Sequence, residues 1–399
     1  MKVTELQTFI VGNPPPHKGG RYFIFVKLTT DNGISGIGEV YNATFSPSVI
    51  KHMIDDIFTA HIENTDPFRI ETLWRNVYAR GYSSRPDITL VGVLSGLEIA
   101  LWDIIGKAVD KPVYELLGGK VHERLRSYTY LYPAQEADAN SADPVYSDPQ
   151  VAADRALYYA NQGFTAVKFD PAGAYTTFDP HQPELESIER SRLFVETLRE
   201  ALGTSADLLF GTHGQFTPAG AVRMARALEP SNPLWFEEPV PPEMPEQMAK
   251  VAGQTSIPIA TGERLTTKYE FSRVLQCNAA AILQPALGRV GGLLEGKKIA
   301  SMAETHYAQL APHLYCGPVE AAANIQLAAA SPNFLILESI ETWGGFHTEL
   351  LNSPIQWEDG YVIPPATPGL GIELNEAVAL SHPYEGDTLH IAPSTTPIT

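Results

Sequence analysis

The spacing of hydrophobic and polar positions divides the chain into two regions of different pattern. Residues 3–11 and 21–29 are rich in β-branched and aromatic side chains, and the Asp31-Asn32-Gly33 turn that follows tolerates positive φ, so an antiparallel hairpin is predicted. From residue 46 to 120, apolar residues recur three and four positions apart, which predicts helices. Residues 1–122 are therefore expected to form an α+β domain with strands first and helices after.

From residue 123 onwards, short apolar runs alternate with helical stretches. Each run ends in a polar residue or a glycine, and from residue 211 the ends follow one another at intervals of 23 to 27 residues. A strand of about five residues, a helix of about twelve and two short loops need that length. Eight such strands predict a parallel α/β barrel over residues 123–365. The tail, residues 366–399, carries no further unit and is expected to pack back on the first domain.

The composition excludes several classes of protein. Twenty-eight basic and 46 acidic residues give a net charge of −18, which disfavours nucleic acid and anionic membrane surfaces as partners. The longest apolar stretch, residues 88–105, contains Glu98 and Asp103, so we expect a buried helix there rather than a membrane span. Two cysteines are too few for a disulfide framework. These features predict a soluble, reduced, cytoplasmic protein.

Seven side chains capable of chemistry follow the ends of the predicted strands. The carboxyl ends of barrel strands share one rim, so these residues are expected to converge: Lys168, Asp170, His213, Glu237, Glu263, His313 and Glu338. A single glutamate is most often a solvated surface residue, but seven residues at matched positions favour a site. Glu237 and Glu263 on adjacent strands, with His213 one strand before, suit a hard cation such as Mg²⁺.

Several motifs occur together and in order. They are Trp235-Phe236-Glu237-Glu238-Pro239, Thr261-Gly262-Glu263-Arg264, Gly288-Arg289-Val290-Gly291-Gly292, Pro312-His313 and Leu337-Glu338. With them the chain resembles the enolase superfamily, and within it the mandelate racemase and acid-sugar dehydratase group. The resemblance implies a (β/α)7β modified TIM barrel with an α+β capping domain that the C-terminal tail completes. It also implies that Mg²⁺ stabilises an enediolate formed when a base removes the proton alpha to a carboxylate.

The resemblance assigns metal ligands with one departure. Glu237 and Glu263 match the family's second and third ligands, but Gly211 stands where the family has its first, an aspartate. His213 lies two positions on, and strand alternation points its side chain to the same side as position 211. His213 is the replacement ligand, or a general acid, since the related dehydratases place an acid histidine there, or a purely structural residue.

The resemblance also implies the proton-transfer groups. His313 matches the seventh-strand histidine, whose usual aspartate partner is replaced here by Ala286, so we expect a neutral imidazole that acts as an acid more readily than as a base. Lys168 is retained, and Asp170 stands where the family often has its lysine base. The alternative for Lys168 and Asp170 is a structural salt bridge at the strand end.

The remaining assignments concern substrate. Glu338 matches an eighth-strand acid that can hydrogen-bond a substrate carboxylate when it is protonated. An overlong loop at residues 171–186 is expected to be a lid or specificity loop, because it follows the second strand on the active-site face. Tyr175 and His181 in that loop, and His17 in the proline-rich loop of the first domain, could contact the far end of a polyol chain.

The leading hypothesis is a Mg²⁺-dependent lyase, a hydro-lyase that converts a small sugar acid into a 2-keto-3-deoxy acid. An isomerase acting through the same enediolate is the nearest alternative, but the replaced lysine base and histidine partner disfavour a symmetric two-base racemase. A barrel that has lost catalysis and only binds metal is a third possibility, favoured by Gly211 and Ala286. We further expect a homo-oligomer.

Overall fold

The computed structural model describes residues 1–82, 84–134, 143–172, 180–386 and 388–391. The strands are β1 (Val3–Gly12), β2 (Tyr22–Thr30), β3 (Ser35–Glu39), β4 (Leu125–Tyr130), β5 (Ala166–Phe169), β6 (Asp207–Phe210), β7 (Trp235–Glu237), β8 (Ile259–Thr261), β9 (Ile282–Leu283), β10 (Gln309–Leu310), β11 (Leu337–Ser339), β12 (Trp357–Glu358) and β13 (Tyr361–Val362).

The helices are α1 (Pro47–Ile57), α2 (Ile70–Tyr78), α3 (Ile88–Ala108), α4 (Val113–Leu116), α5 (Pro149–Asn161), α6 (Leu185–Leu202), α7 (Pro218–Leu228), α8 (Pro245–Ala252), α9 (Thr267–Gln276), α10 (Leu287–Val290), α11 (Gly292–Thr305), α12 (Pro318–Ala329), α13 (Phe346–Glu349) and α14 (Glu376–Ser381). Short π- or 3₁₀-helical turns lie at Phe58–Ile62, Arg80–Tyr82, Pro144–Tyr146 and Glu229–Ser231.

The N-terminal region is a three-stranded antiparallel sheet, in the order β1-β2-β3, covered by helices. The turn between β2 and β3 contains Gly33 with φ of 85°, so the predicted hairpin is confirmed. Helix α3 packs on β3, where Gly38 lets the strand approach the helix backbone at Gly96. Helix α3 is long and apolar enough to cross a membrane. However, 83% of its most apolar 18-residue segment is buried inside the protein, so the helix belongs to the folded core.

The second region is the predicted barrel. Strands β4 to β10 pair in parallel in chain order, and β11 pairs in parallel with β4, Glu338 lying opposite Tyr128. A parallel bridge between Leu310 and Phe334 links the seventh strand to the segment before β11 and closes the ring. A helix follows each of the first seven strands, so the (β/α)7β architecture with its N-terminal capping domain is confirmed.

Local capping accounts for where the barrel helices begin. The Asp148 carboxylate accepts hydrogen bonds from the backbone N–H groups of Gln150 and Val151, and Pro149 occupies the first turn of α5. The Thr217 hydroxyl caps α7 in the same way by accepting from the N–H of Gly220. These caps fix the first residues of both helices.

The tail contacts the capping domain. The Leu370 N–H donates to the Asp103 carboxylate of α3 at 2.8 Å, and the Tyr384 N–H donates to the Ile10 carbonyl of β1 at 3.0 Å. Before the tail, β13 pairs antiparallel with β4 on the barrel. The division of the chain at residues 122 and 365 remains a prediction.

The capping domain is joined to the barrel rim at the end of β3. There the buried Glu39 carboxylate accepts hydrogen bonds from the N–H groups of Gly317 at 2.6 Å and Glu320 at 2.9 Å, at the start of α12. Tyr41, two residues further on, stacks on the His313 ring with centroids 6.1 Å apart. The capping domain therefore contributes one wall of the barrel mouth.

Candidate active site

Parallel strands bring the seven predicted rim residues together. Lys168 and Glu338 lie within β5 and β11, Glu237 ends β7, and the other residues follow their strands by no more than three positions. Their side chains contact one another in a continuous series in which acidic and basic groups alternate. We call this series the charge-alternating chain, in the order Asp170, His213, Glu263, His313, Glu338, Lys168 and Glu237.

Lys168 lies between Glu338 and Glu237 in this chain. Its Nζ lies 2.6 Å from Glu237 Oε1 and 3.7 Å from Glu338 Oε1, and only 3% of the lysine is exposed. Burial alone would lower the pKa of Lys168, but these two carboxylates outweigh burial and hold the pKa well above its ordinary value. Lys168 is therefore an ammonium ion at neutral pH and cannot serve as a base in this state.

His313 has carboxylate partners despite Ala286. Its Nδ1 lies 3.0 Å from Glu338 Oε2 and 3.3 Å from Glu263 Oε2. Burial lowers the pKa of His313, but the two carboxylates raise it more, so the pKa lies above its ordinary value. The expectation that His313 lacks a carboxylate partner is wrong, because glutamates on other strands reach across the barrel mouth.

Glu338 is an acceptor in this arrangement. The N–H of Leu314 donates to its Oε2 at 2.8 Å. Burial raises the pKa of Glu338, but the charges of Lys168 and His313 lower this pKa by more than burial raises it. The pKa of Glu338 therefore lies below its ordinary value. The expectation that Glu338 is protonated is wrong, because the charges of Lys168 and His313 outweigh the effect of burial.

His213 lies between two carboxylates. Its Nε2 is 3.5 Å from Glu263 Oε1 and its Nδ1 is 3.9 Å from Asp170 Oδ2. Burial lowers the pKa of His213, while Glu263 and Asp170 raise it above its ordinary value. The Asp170 carboxylate also accepts from the N–H of Ala172 at 3.1 Å. The structure thus pairs Asp170 with His213, and Lys168 with Glu237 and Glu338, in place of the Lys168–Asp170 salt bridge considered from sequence.

Sequence reasoning missed two residues that bind Glu237. Trp235 Nε1 and Gln284 Nε2 donate to Glu237 Oε2 at 3.1 and 2.8 Å. Trp235 stands two positions before Glu237, so strand alternation could have placed both on one face. Gln284 is a polar residue directly after a short apolar strand, which is a weaker signal.

A third missed residue comes from the other domain. The Tyr41 ring stacks on His313 on one side, and the Arg289 guanidinium lies 3.7 Å from its centroid on another. Arg289 also donates to the Glu263 carbonyl at 3.1 Å, so it ties the capping domain to the rim. Nothing in the local sequence around Tyr41 indicates this contact.

The three predicted substrate contacts outside the barrel strands have different outcomes. His17 lines a cavity of about 260 Å³ formed by the capping domain and the tail, and its Nδ1 faces the Asn13 carbonyl at 2.5 Å. His181 is exposed and bonds through its backbone to Gln215 and Thr217. Tyr175 lies outside the described residues.

The predicted metal ligands are only partly assembled. His213 and Glu263 contact each other, but both oxygens of Glu237 accept from N–H donors of Lys168, Trp235 and Gln284. Within the described ranges, no group of three His, Cys, Asp or Glu side chains is arranged to hold a metal ion. The donor set as it stands does not fit the three-ligand site that the resemblance implies, so the mechanism below uses the protein's own side chains.

Two family models match the chain. Residues 17–118 match the N-terminal domain of the mandelate racemase / muconate lactonizing enzyme family, and residues 150–378 match the enolase C-terminal domain-like family. D-galactonate dehydratase from Ralstonia nicotianae is 34% identical over 95% of this chain and 94% of its own length. D-xylonate dehydratase from Haloferax volcanii is 32% identical over 97% of this chain and 90% of its own length.

Solved structures agree with this relationship. A mandelate racemase/muconate lactonizing enzyme-like protein from Roseovarius sp. TM1035 has 51% identity and a TM-score of 0.96, covering 100% of this chain and 99% of its own. A crystal structure from Labrenzia alexandrii DFL-11 has 64% identity and a TM-score of 0.95, covering 98% of this chain and 99% of its own. The chain therefore belongs to the mandelate racemase/muconate lactonizing enzyme family of the enolase superfamily.

Proposed function

We propose that the protein is a dehydratase that removes water from a sugar acid to give a 2-keto-3-deoxy acid. The observation that carries this proposal is the charge-alternating chain, which places a fixed ammonium at Lys168 and an imidazole of raised pKa at His313 in one buried barrel mouth. Relatives that match nearly the whole chain are dehydratases of galactonate and xylonate, which supports a sugar acid as the substrate class.

The reaction needs a cation, a base and an acid. The Lys168 ammonium binds the substrate carboxylate and offsets the charge that develops on the enediolate. Asp170, on the same strand end, takes the proton alpha to the carboxylate. His313, on the seventh strand, donates its proton to the 3-hydroxyl group, so that the C3–O bond breaks and water leaves. The resulting enol then tautomerises to the 2-keto acid.

The positions of these groups support separate residues for the base and the acid. Lys168 and Asp170 belong to the second barrel strand and His313 to the seventh, so they approach the substrate from different sides of the rim. A protonated His313 can donate to a leaving hydroxyl but cannot remove a proton. A racemase or epimerase would need a competent base on both sides, which this charge distribution disfavours.

Members of the superfamily generally use a divalent metal. The assignment of Mg²⁺, with Glu237, Glu263 and His213 as ligands, stays a prediction from the resemblance, and no step above passes through it. Substrate contacts by Glu338, Tyr175 and His17, the homo-oligomer and the cytoplasmic location also stay predictions.

A substrate screen tests the proposal. Aldonic acids of five and six carbons are incubated with the purified protein, and 2-keto acids are trapped with semicarbazide and measured by absorbance. We expect product from at least one acid, and a loss of about 10²-fold or more in His313→Asn, because the general acid is removed. His52→Asn, on the surface of α1, is the matched control and is expected to retain wild-type turnover. Equal turnover in His313→Asn and wild type would contradict the role of His313.

A further inference from the structure

We propose that the Lys168 ammonium takes the place of the divalent metal at Glu237, and that dehydration by this protein is independent of divalent metals. The inference deepens the proposed function and rests on it for the reaction itself. Its structural part, the exclusion of metal from Glu237, stands on contacts within the barrel.

The first observation is the complete engagement of Glu237. Oε1 pairs with the Lys168 ammonium at 2.6 Å, and Oε2 accepts from Trp235 and Gln284. Glu237 itself is fully buried. A metal ion would have to displace a buried ammonium from this carboxylate and leave Lys168 with Glu338 alone, at 3.7 Å.

The second observation is the space at Gly211. A Cβ at this position would lie 3.1 Å from Lys168 Cε, which is a tight contact. The family's first ligand would project a carboxylate from the same position. The absence of a side chain at Gly211 thus allows the Lys168 chain to lie against β6 on its way to Glu237.

The third observation concerns Glu263. Its two oxygens face different imidazoles, His213 Nε2 at 3.5 Å and His313 Nδ1 at 3.3 Å. Glu237 is thus hydrogen-bonded by nitrogen groups of the protein, and Glu263 lies between two imidazole rings. Among the described residues, no group of three His, Cys, Asp or Glu side chains is arranged so that it could hold a metal ion.

An ammonium can supply the positive charge that the chemistry requires. It donates hydrogen bonds to a substrate carboxylate, and it carries its charge permanently in a buried site where electrostatic interactions are strong. The proton balance is that of the proposed dehydration, since the α-proton passes to the base and the hydroxyl leaves with a proton from the acid.

Metal binding and metal dependence provide separate tests. Full-length wild-type protein, dialysed against EDTA, is titrated with Mn²⁺ and followed by electron paramagnetic resonance. We expect no saturable binding to the wild type, and turnover changed by less than about twofold when EDTA is present. The double variant Lys168→Ala/Gly211→Asp removes the ammonium and restores the carboxylate, so it is expected to bind Mn²⁺ with one site per chain.

The outcomes are distinguishable. Gly253→Asp, at the exposed C-terminal end of α8, is the control for an added carboxylate and is expected to bind no Mn²⁺. Saturable Mn²⁺ binding by the wild type that Glu237→Gln removes, or loss of turnover in EDTA, overturns the inference. A correctly folded double variant without a site overturns the role of Lys168. If no acid sugar is converted under either condition, the proposed function fails, while the Mn²⁺ titration still decides whether Lys168 excludes metal.

Discussion

Lys168 shows most clearly how one residue sets the character of this site. A buried lysine is tolerated only because carboxylates compensate its charge, and Glu237 and Glu338 do so here. The same contact links stability to function, since the ammonium that balances Glu237 is the group proposed to receive the substrate carboxylate.

Removal of this lysine should therefore cost stability as well as activity. We expect Lys168→Met to lower the free energy of unfolding by about 3 kcal/mol, because Glu237 is left as a buried charge without its cation. Glu237→Gln should also destabilise, and the double variant should lose less than the sum of the two. Denaturant unfolding of the four proteins measures this cycle.

A surface pair supplies the control for that cycle. Lys51 and Asp55 form an i,i+4 ion pair on α1 with both side chains more than 40% exposed, so Lys51→Met is expected to leave stability unchanged within error. Wild-type stability in Lys168→Met would contradict a buried, paired ammonium.

For individual residues, the sequence identified which side chains lie at the rim but not which side chains they contact. Alternation and strand spacing place His313 and Glu338 on one rim, because they depend only on the backbone repeat. Alternation and strand spacing cannot show that the Glu338 carboxylate contacts His313. That contact depends on side-chain length and on the width of the barrel. Ala286 removes the usual aspartate partner, but the structure supplies two carboxylates from other strands, one just after β8 and one in β11.

At the scale of elements, the contact between β3 and α3 fixes the capping domain. An added Cβ at Gly38 would overlap the Gly96 carbonyl oxygen and lie 2.9 Å from the Ala100 nitrogen. We expect Gly38→Ala to lower the free energy of unfolding by about 1–3 kcal/mol, because strand and helix must move apart. Thermal or denaturant unfolding measures this effect.

Gly253→Ala is the matched control for that substitution. A Cβ there would lie 3.4 Å from the Ala249 carbonyl, which is ordinary contact, and the backbone φ is −75°. This variant is expected to match the wild type. Equal stability of Gly38→Ala and Gly253→Ala would contradict the close contact between β3 and α3.

The sequence predicted elements better than it predicted contacts between domains. The helix starts at Asp148 and Thr217 depend on local capping chemistry that the sequence itself carries. The first barrel strand ends at Tyr130, and this end depends on pairing with neighbouring strands, which local sequence does not show. The position of Tyr41 against His313 depends on docking of the two domains and has no local signal.

For the whole molecule, a buried histidine with a lowered pKa, His347, predicts a loss of stability in acid. His347 of α13 is buried with its Nε2 3.3 Å from the Cys316 carbonyl, and burial lowers the pKa of His347 from 6.5 to about 4. Between these pH values the unfolded chain binds a proton that the folded protein does not bind. Stability therefore falls as pH decreases through this window, by up to about 1.4 kcal/mol per pH unit for this group.

Denaturant unfolding at several pH values between 6.5 and 4 measures this slope. His347→Gln removes the titrating group, so its stability should depend less steeply on pH than that of the wild type. His306→Gln, at the C-terminal end of α11, is the control and should keep the wild-type slope. An identical slope in His347→Gln and wild type would show that this histidine does not remain neutral in the folded protein.

Proton NMR in deuterated water decides whether the whole assembly removes water from a sugar acid. An acid sugar is followed with wild-type protein until the reaction ends. We expect a 2-keto-3-deoxy acid that carries solvent deuterium at C3, because the enol takes its new proton from the solvent. An epimer that carries deuterium at C2 and keeps all its hydroxyl groups would contradict dehydration and indicate an isomerase. No change in any acid sugar would indicate a barrel without this activity.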